Sequence, residues 1–162
     1  MPTIGDYMVT RTGGFVAWTI RWLCHSPVNH AAVYIGGGKV VEAQPGGARV
    51  TDVAKYPDAI WSDMPLVHDD RVVIVWISLS LVGTPYSFWD IAALAVALIT
   101  GRRTPRWIAH RLSRPDRLIC SQLVDEAYRR AGVHLFDDAQ RLPCEVTPGD
   151  LLNLIEEQRA AA

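Results

Sequence analysis

Three consecutive glycines, at positions 36–38, constrain the fold of this 162-residue chain more than any other feature. They separate two short runs of mostly small, β-branched and aromatic residues, 30–35 and 39–43. Two such runs around a glycine-rich turn predict a β-hairpin. If the three glycines form the whole loop, Ile35 pairs with Lys39, and the rest of the register follows from that pair.

The predicted register gathers polar side chains on one face of the hairpin. Ala32 lies opposite Glu42 and His30 lies opposite Gln44, so His30, Glu42 and Gln44 project from the same side. A polar neighbour fixes the tautomer of a catalytic histidine and stabilises its charged form. Glu42 and Gln44 are both candidates for that neighbour. A loop of two or four residues would instead turn Glu42 to the opposite face, as a solvent-facing edge residue.

The remaining pattern predicts one α+β domain over residues 1–162. A first strand is expected at residues 5–10, and the nearly continuous apolar run 71–79 predicts a buried central strand. Apolar spacing and end signals predict helices at several places, with Gly132 as a C-terminal cap. The expected helices are 15–24, 87–99, 118–131 and 148–158.

Composition limits the classes of function. Sixteen Lys and Arg against seventeen Asp and Glu give a net charge of −1, which argues against a general nucleic-acid binder. Three sparse cysteines favour reduced thiols over a disulfide framework. The first residues lack a basic region followed by an apolar stretch, so a cytoplasmic location is expected, with signal-independent, phage-type export as the alternative. The apolar run 91–99 is too short to span a bilayer.

Cys120 stands at the predicted start of the 118–131 helix. Unpaired N–H groups at a helix N-terminus favour a thiolate and can donate to an oxyanion formed during acyl transfer. A nucleophilic cysteine also needs a nearby imidazole, and His30 is the candidate. Taken alone, a cysteine on the apolar face of a helix is more often a small core residue.

Five short motifs follow one another along the chain. They are Gly5-Asp6, residues 29–34, residues 41–43, residues 83–86 and residues 120–124. Together they resemble the circularly permuted papain-like hydrolases, NlpC-type proteins that include the YiiX-like group and the lecithin–retinol acyltransferase relatives. In that family the histidine strand precedes the cysteine helix, as it does here. The resemblance implies a small antiparallel sheet or barrel packed against helices, with the nucleophile at a helix N-terminus.

The resemblance also implies a cysteine hydrolase that works through a thioester. Cys120 would be the nucleophile, His30 its base and Glu42 the residue that orients His30. An amide or peptide bond, for example in cell-wall peptides, is the first expected substrate. The same triad acting on a lipid acyl chain is an alternative, favoured by six tryptophans, and a non-catalytic binding module is another. No cofactor and no metal is expected.

Four further residues are candidates for substrate contact: Tyr34, Gln44, Tyr86 and Asp6. Packing is the alternative for both tyrosines, and a turn or a hydrogen bond under the sheet is the alternative for Asp6.

Two other segments suggest partners. Residues 88–107 combine an apolar run with several arginines, which predicts peripheral membrane contact, a core helix followed by a solvated turn being the alternative. Cys24, His25 and Cys144 lack the paired spacing of a zinc site. The sequence makes no prediction of the oligomeric state.

Overall fold

The computed structural model describes residues 1–13, 26–86, 119–136 and 146–161. Within these ranges an antiparallel sheet packs against helices, which confirms the α+β class. The elements are β1 (Tyr7–Thr10), β2 (His30–Gly36), β3 (Lys39–Gln44), β4 (Gly47–Asp52), a 3-10 helix (Val53–Lys55), β5 (Ile60–Trp61), α1 (His68–Ser80), α2 (Cys120–Arg130) and α3 (Pro148–Ala161). The predicted helices 15–24 and 87–99 lie outside the described residues.

The five strands form one sheet in the order β4-β3-β2-β1-β5, and every neighbouring pair is antiparallel. Side chains alternate between its two faces. Val9, Val33 and Val41 lie on the face that builds the main core with the helices, where they join Ile74 of α1 and Leu123 of α2. This core fixes the sheet against α2, the helix that begins at Cys120.

The opposite face of the sheet carries a smaller cluster. Met8, Ala32 and Val40 are buried there, and Tyr56 and Trp61 pack against them. His30 and Glu42 also belong to this face by their alternation with Ala32 and Val40. The polar residues of the hairpin are therefore covered by the chain that follows β4.

The β2–β3 hairpin reaches the predicted register through a different loop. Ala32 pairs with Glu42 as expected. Gly36, however, pairs with Lys39, so the predicted pairing of Ile35 with Lys39 in a three-residue loop is wrong. The loop has two residues, and an irregularity in β2 between Tyr34 and Gly36 takes up one more.

This bulge restores the alternation that a two-residue loop alone would have reversed. The three glycines fit the turn because each has a positive φ, at 91°, 59° and 71° for Gly36, Gly37 and Gly38. A side chain would be strained in that conformation. Glu42 therefore keeps the face that the sequence predicted for it.

The predicted buried strand at residues 71–79 is wrong, because these residues belong to helix α1. Ile74 and Ile77 face the core, while Val72 and Trp76 lie on the exposed side. Apolar residues on both sides of a helix remove the periodicity that would have identified it. Arg71, at the same helix, is buried and donates from Nη1 to Oδ1 of Asp6 at 2.8 Å.

Helices α2 and α3 confirm the predicted helices 118–131 and 148–158, although α3 runs three residues further. Gly132 follows α2 with a φ of 80°, the left-handed conformation expected of a C-terminal cap. Oγ1 of Thr147, the residue before α3, accepts a hydrogen bond from the N–H of Asp150 and so caps the start of the helix. None of the helices in the described part of the chain is long and apolar enough to cross a membrane.

Candidate active site

Cys120 is the first residue of α2 and is buried. Its Sγ lies 3.9 Å from the carbonyl oxygen of Asn29. The side chain of Gln122 accepts a hydrogen bond from the N–H of Ile119 at 2.9 Å, which fixes the start of the helix. The N–H groups of the first helical turn have no partner within a helix, so they present positive potential beside the sulfur. This is where a thiolate and an oxyanion are favoured.

Asn29, the residue before β2, is anchored to the chain that follows β1. The side chain of Asn29 accepts from the N–H of Thr12 and donates to its Oγ1, both at 2.8 Å. His30 itself pairs with Thr10 of β1. These contacts hold the backbone that lies against Cys120, and Cys120 lies close enough to the His30 ring to raise the pKa of that ring.

Glu42 completes the group. Its Oε2 lies 2.7 Å from Nε2 of His30, and both side chains are buried. The two residues are diagonal neighbours on one face, because Ala32 is the residue directly opposite Glu42. Since Nε2 is taken by Glu42, Nδ1 is the ring nitrogen left for Cys120. The structure thus brings the three predicted catalytic residues together.

The electrostatics of the pair favour a charged histidine. Burial by itself lowers the pKa of His30, but hydrogen bonds and charge from Cys120 and Glu42 outweigh it and raise that pKa to about 9. Burial likewise acts to raise the pKa of Glu42, but hydrogen bonds from His30, Thr51 and Tyr56 hold it well below its ordinary range. At neutral pH an imidazolium therefore lies between the carboxylate of Glu42 and the sulfur of Cys120.

Five donors surround the buried carboxylate of Glu42. Oε1 accepts from Oγ1 of Thr51 at 2.6 Å and from Nε of Arg49 at 3.0 Å. Oε2 accepts from the ring of His30, from the phenol of Tyr56, and from Nε2 of Gln44 at 3.0 Å. A buried charge is stable only when it is paired and hydrogen-bonded in this way.

The two candidates for the partner of His30 take different places. Glu42 bonds the imidazole, whereas Gln44 donates from Nε2 to Glu42 and to the hydroxyl of Tyr56, both at 3.0 Å. Gln44 therefore lies behind the carboxylate and holds it.

Tyr34 and Asp6 lie at the other end of β2. Tyr34 is four residues from His30, roughly 13 Å along a strand. Its ring packs edge-on against Trp61 at 5.6 Å between centroids, and its N–H donates to the carbonyl of Asp6 at 2.8 Å. The carboxylate of Asp6 binds Arg71 and also accepts from the N–H of Thr3 at 2.7 Å. The structure does not bring these two residues to the triad.

Tyr86 lies on the cysteine side of the site. Burial raises the pKa of Tyr86, and the neighbouring Cys120 raises it further, so the phenol of Tyr86 stays protonated. A protonated hydroxyl beside a nucleophile can donate to an oxyanion.

Three residues of the site were missed from the sequence. Thr51 and Arg49 lie on β4, and Arg49 is directly opposite Glu42. The turn at residues 45–47 was a signal for β4, and pairing β4 with β3 would have found Arg49. Tyr56 follows the 3-10 helix, and its ring lies 5.5 Å from the His30 ring. No sequence spacing predicts that contact.

Comparison with solved structures finds the same fold in the crystal structure of the metalloprotein YiiX from Escherichia coli O157:H7, a DUF1105 protein. The TM-score is 0.62 at 16% sequence identity, and the match covers 89% of this chain and 78% of that chain. No family model and no curated protein matches the chain significantly. At this identity the similarity establishes a shared fold.

The protein with the matching fold is a metalloprotein. Among residues 1–13, 26–86, 119–136 and 146–161, no group of three or more His, Cys, Asp or Glu side chains is arranged to hold a metal ion. Cys24, His25 and Cys144 lie outside these ranges.

Proposed function

We propose that the chain is a cysteine-dependent hydrolase that cleaves an amide or peptide bond through a thioester. The observation that carries this proposal is the convergence of Cys120, His30 and Glu42, with the sulfur at a helix N-terminus. The order His30, Glu42, Cys120 along the chain is that of the permuted papain-like hydrolases. It supports placing the chain with them.

In the first half of the reaction the Cys120 thiolate attacks the carbonyl carbon of the substrate. The carbonyl oxygen becomes an oxyanion, to which the first-turn amides of α2 and the hydroxyl of Tyr86 donate. The tetrahedral intermediate collapses, the C–N bond breaks, and the His30 imidazolium gives its proton to the leaving amine. The product is an acyl thioester on Cys120 and a neutral His30.

In the second half His30 acts as the base. It takes a proton from water, whose oxygen attacks the thioester carbonyl. The C–S bond then breaks, an acid leaves, and the thiolate returns beside the imidazolium. Glu42 stays ionised throughout and holds the ring with Nδ1 toward the sulfur.

The proposal is tested with purified protein and three probes: a peptide p-nitroanilide, a p-nitrophenyl ester and a long-chain acyl thioester. Cys120→Ala and His30→Ala should each lower kcat/KM by about 100-fold or more. Cys144→Ala is the matched control, because it removes a thiol from the same chain, and it should leave the rate unchanged. Full activity in the Cys120 and His30 variants would show that hydrolysis does not use this site.

The three probes also separate the substrate classes. Preference for the anilide supports amide hydrolysis. Preference for the long-chain thioester would favour lipid acyl chemistry with the same three residues. Wild-type protein that turns over none of the probes, with Cys120 no more reactive toward iodoacetamide than a free thiol, would favour a binding module.

A further inference from the structure

Two cations bind the two oxygens of one buried carboxylate. Nε2 of His30 lies 2.7 Å from Oε2 of Glu42, and Nε of Arg49 lies 3.0 Å from Oε1. Arg49, Glu42 and His30 form a row of alternating charge, which ends beside the sulfur of Cys120. The proposed reaction uses Glu42, His30 and Cys120 and leaves Arg49 without a role.

Arg49 is held in this row by the sheet and by a second contact. It is directly opposite Glu42 in the β3–β4 ladder, so its side chain emerges on the same face. Its Nη2 also donates to Oε1 of Gln44 at 3.0 Å, which orients the guanidinium over both side chains. The Arg49 side chain is 52% exposed, whereas Glu42 is fully buried. Arg49 is therefore the solvent-facing end of the charge row.

The position of Arg49 has a consequence for His30. The two cations are separated by one carboxylate, which places them within about one Debye length of each other. A positive charge at that range disfavours a second positive charge, so it opposes protonation of the imidazole. Arg49 also neutralises part of the negative charge of Glu42 that would otherwise stabilise the imidazolium. Without Arg49 the carboxylate would be balanced by His30 alone.

We propose that Arg49 is a positioning residue that sets the protonation balance of His30 through Glu42. The proposal rests on the proposed function, because it assigns a role within the same site. An imidazolium that is too stable is a poor acid for the leaving group and yields a base only at high pH. Arg49 keeps the proton of His30 transferable while Glu42 stays ionised.

Other groups that face this pair do not replace Arg49. Cys120 approaches His30 from α2, and Tyr86 stands beside Cys120. Tyr56 contacts both His30 and Glu42, but burial and its bond to Glu42 raise its pKa, so it stays neutral. Thr51 and Gln44 carry no charge. Among the described residues, Arg49 is the cation besides His30 itself that bonds Glu42.

The test is an NMR titration of the histidine ring signals in the full chain without substrate, with His30 assigned by its loss in His30→Gln. In Arg49→Gln and Arg49→Met we expect the titration midpoint of His30 to rise by roughly half a unit to one unit, because a neighbouring positive charge is removed from a partly exposed position. Arg49→Lys should restore most of the wild-type midpoint.

Lys39→Gln is the matched control. Lys39 pairs with Asp52 at 2.7 Å across the same two strands, both side chains are exposed, and the change in net charge is the same. Its His30 midpoint should match that of the wild type. An unchanged midpoint in folded Arg49→Gln and Arg49→Met would overturn the proposal, and so would an equal shift in Lys39→Gln.

A second measurement needs no variant. Salt screens an exposed charge more than a buried pair, so raising the salt concentration to 1 M should raise the His30 midpoint of the wild-type chain. A midpoint that does not rise contradicts a role for Arg49, even if the Arg49 variants fail to fold. Because the titration uses no substrate, a failure of the Arg49 proposal can be distinguished from a failure of the hydrolysis test.

Discussion

The β2–β3 hairpin and helix α1 place their residues in opposite ways. The hairpin buries a glutamate that is 0% exposed, while α1 leaves Trp76 70% exposed. In the hairpin each oxygen of Glu42 has at least two donors, so the buried charge is compensated. In α1 the core-facing Ile74 and Ile77 are buried, whereas the apolar side chains of Val72 and Trp76 are exposed. The polarity of a side chain therefore does not decide its burial here. The availability of hydrogen-bonding or packing partners decides it.

The difference also separates chemistry from packing. A buried carboxylate with a full set of donors is a costly arrangement that a fold keeps where it positions another group. An exposed apolar side chain costs little and does not by itself identify a site. The hairpin is thus the region in which a single atom change should matter most, and the outer side of α1 the region in which it should matter least.

The largest effect is expected from Glu42→Gln. The variant replaces one acceptor oxygen of Glu42 with an NH2 group, which cannot accept hydrogen bonds from the surrounding donors. It also removes the negative charge that balances His30 and Arg49. Breaking a buried ion pair in this way should cost about 3–5 kcal/mol of unfolding free energy. Urea unfolding measures the loss.

Asp52→Asn is the control for that change. Asp52 pairs with Lys39 across the β3–β4 ladder, but both side chains are exposed, so its loss should cost much less stability than the loss of the Glu42 charge. Equal losses in the two variants would mean that the donors around Glu42 do not stabilise the fold.

Much of the hairpin and the triad could be predicted from the sequence. The glycine turn predicted the strands on either side of it, and alternation placed His30 and Glu42 on one face. The position of α2 followed from its apolar spacing, and its end followed from Gly132. These features are local, so a short stretch of sequence contains the information that determines them.

What could not be predicted depends on tertiary contacts. The three glycines did not reveal that the loop has only two residues and that a bulge in β2 compensates for the shorter loop. The sequence predicts a strand where helix α1 lies, because the exposed Val72 and Trp76 are apolar like the core-facing Ile74. Thr51 and Tyr56 approach Glu42 from later parts of the chain, which no spacing within the hairpin reveals.

The second expected effect compares the two sides of α1. Ile74→Ala removes a buried side chain from the main core and should cost about 2–5 kcal/mol of unfolding free energy, from lost burial and the cavity left behind. Trp76→Ser, two residues later on the exposed side, should change it by no more than about 0.5 kcal/mol. Urea unfolding of both variants gives the difference. A large loss in Trp76→Ser would mean that the outer side of α1 is covered in the folded protein.

The last comparison concerns the pH dependence of stability. The pKa of Glu42 is held below its ordinary value, so its contribution is present above about pH 4.5 and is lost as the pH falls toward the folded-state pKa. The pKa of His30 is raised from 6.5 to about 9, so its contribution is complete below about pH 6.5 and is lost as the pH rises through 9. Unfolding free energy should therefore peak between about pH 5 and 6.5.

The slope on the alkaline side identifies the source of this dependence. A single histidine cannot change the unfolding free energy by more than about 1.4 kcal/mol per pH unit. Glu42→Gln should flatten the slope between pH 7 and 9, because the imidazolium loses the carboxylate that stabilises it, whereas Trp76→Ser should leave the slope unchanged. Urea unfolding at intervals of one pH unit measures both. If the slope of Glu42→Gln equals that of the wild type, Glu42 is not the group through which the fold gains its alkaline pH dependence.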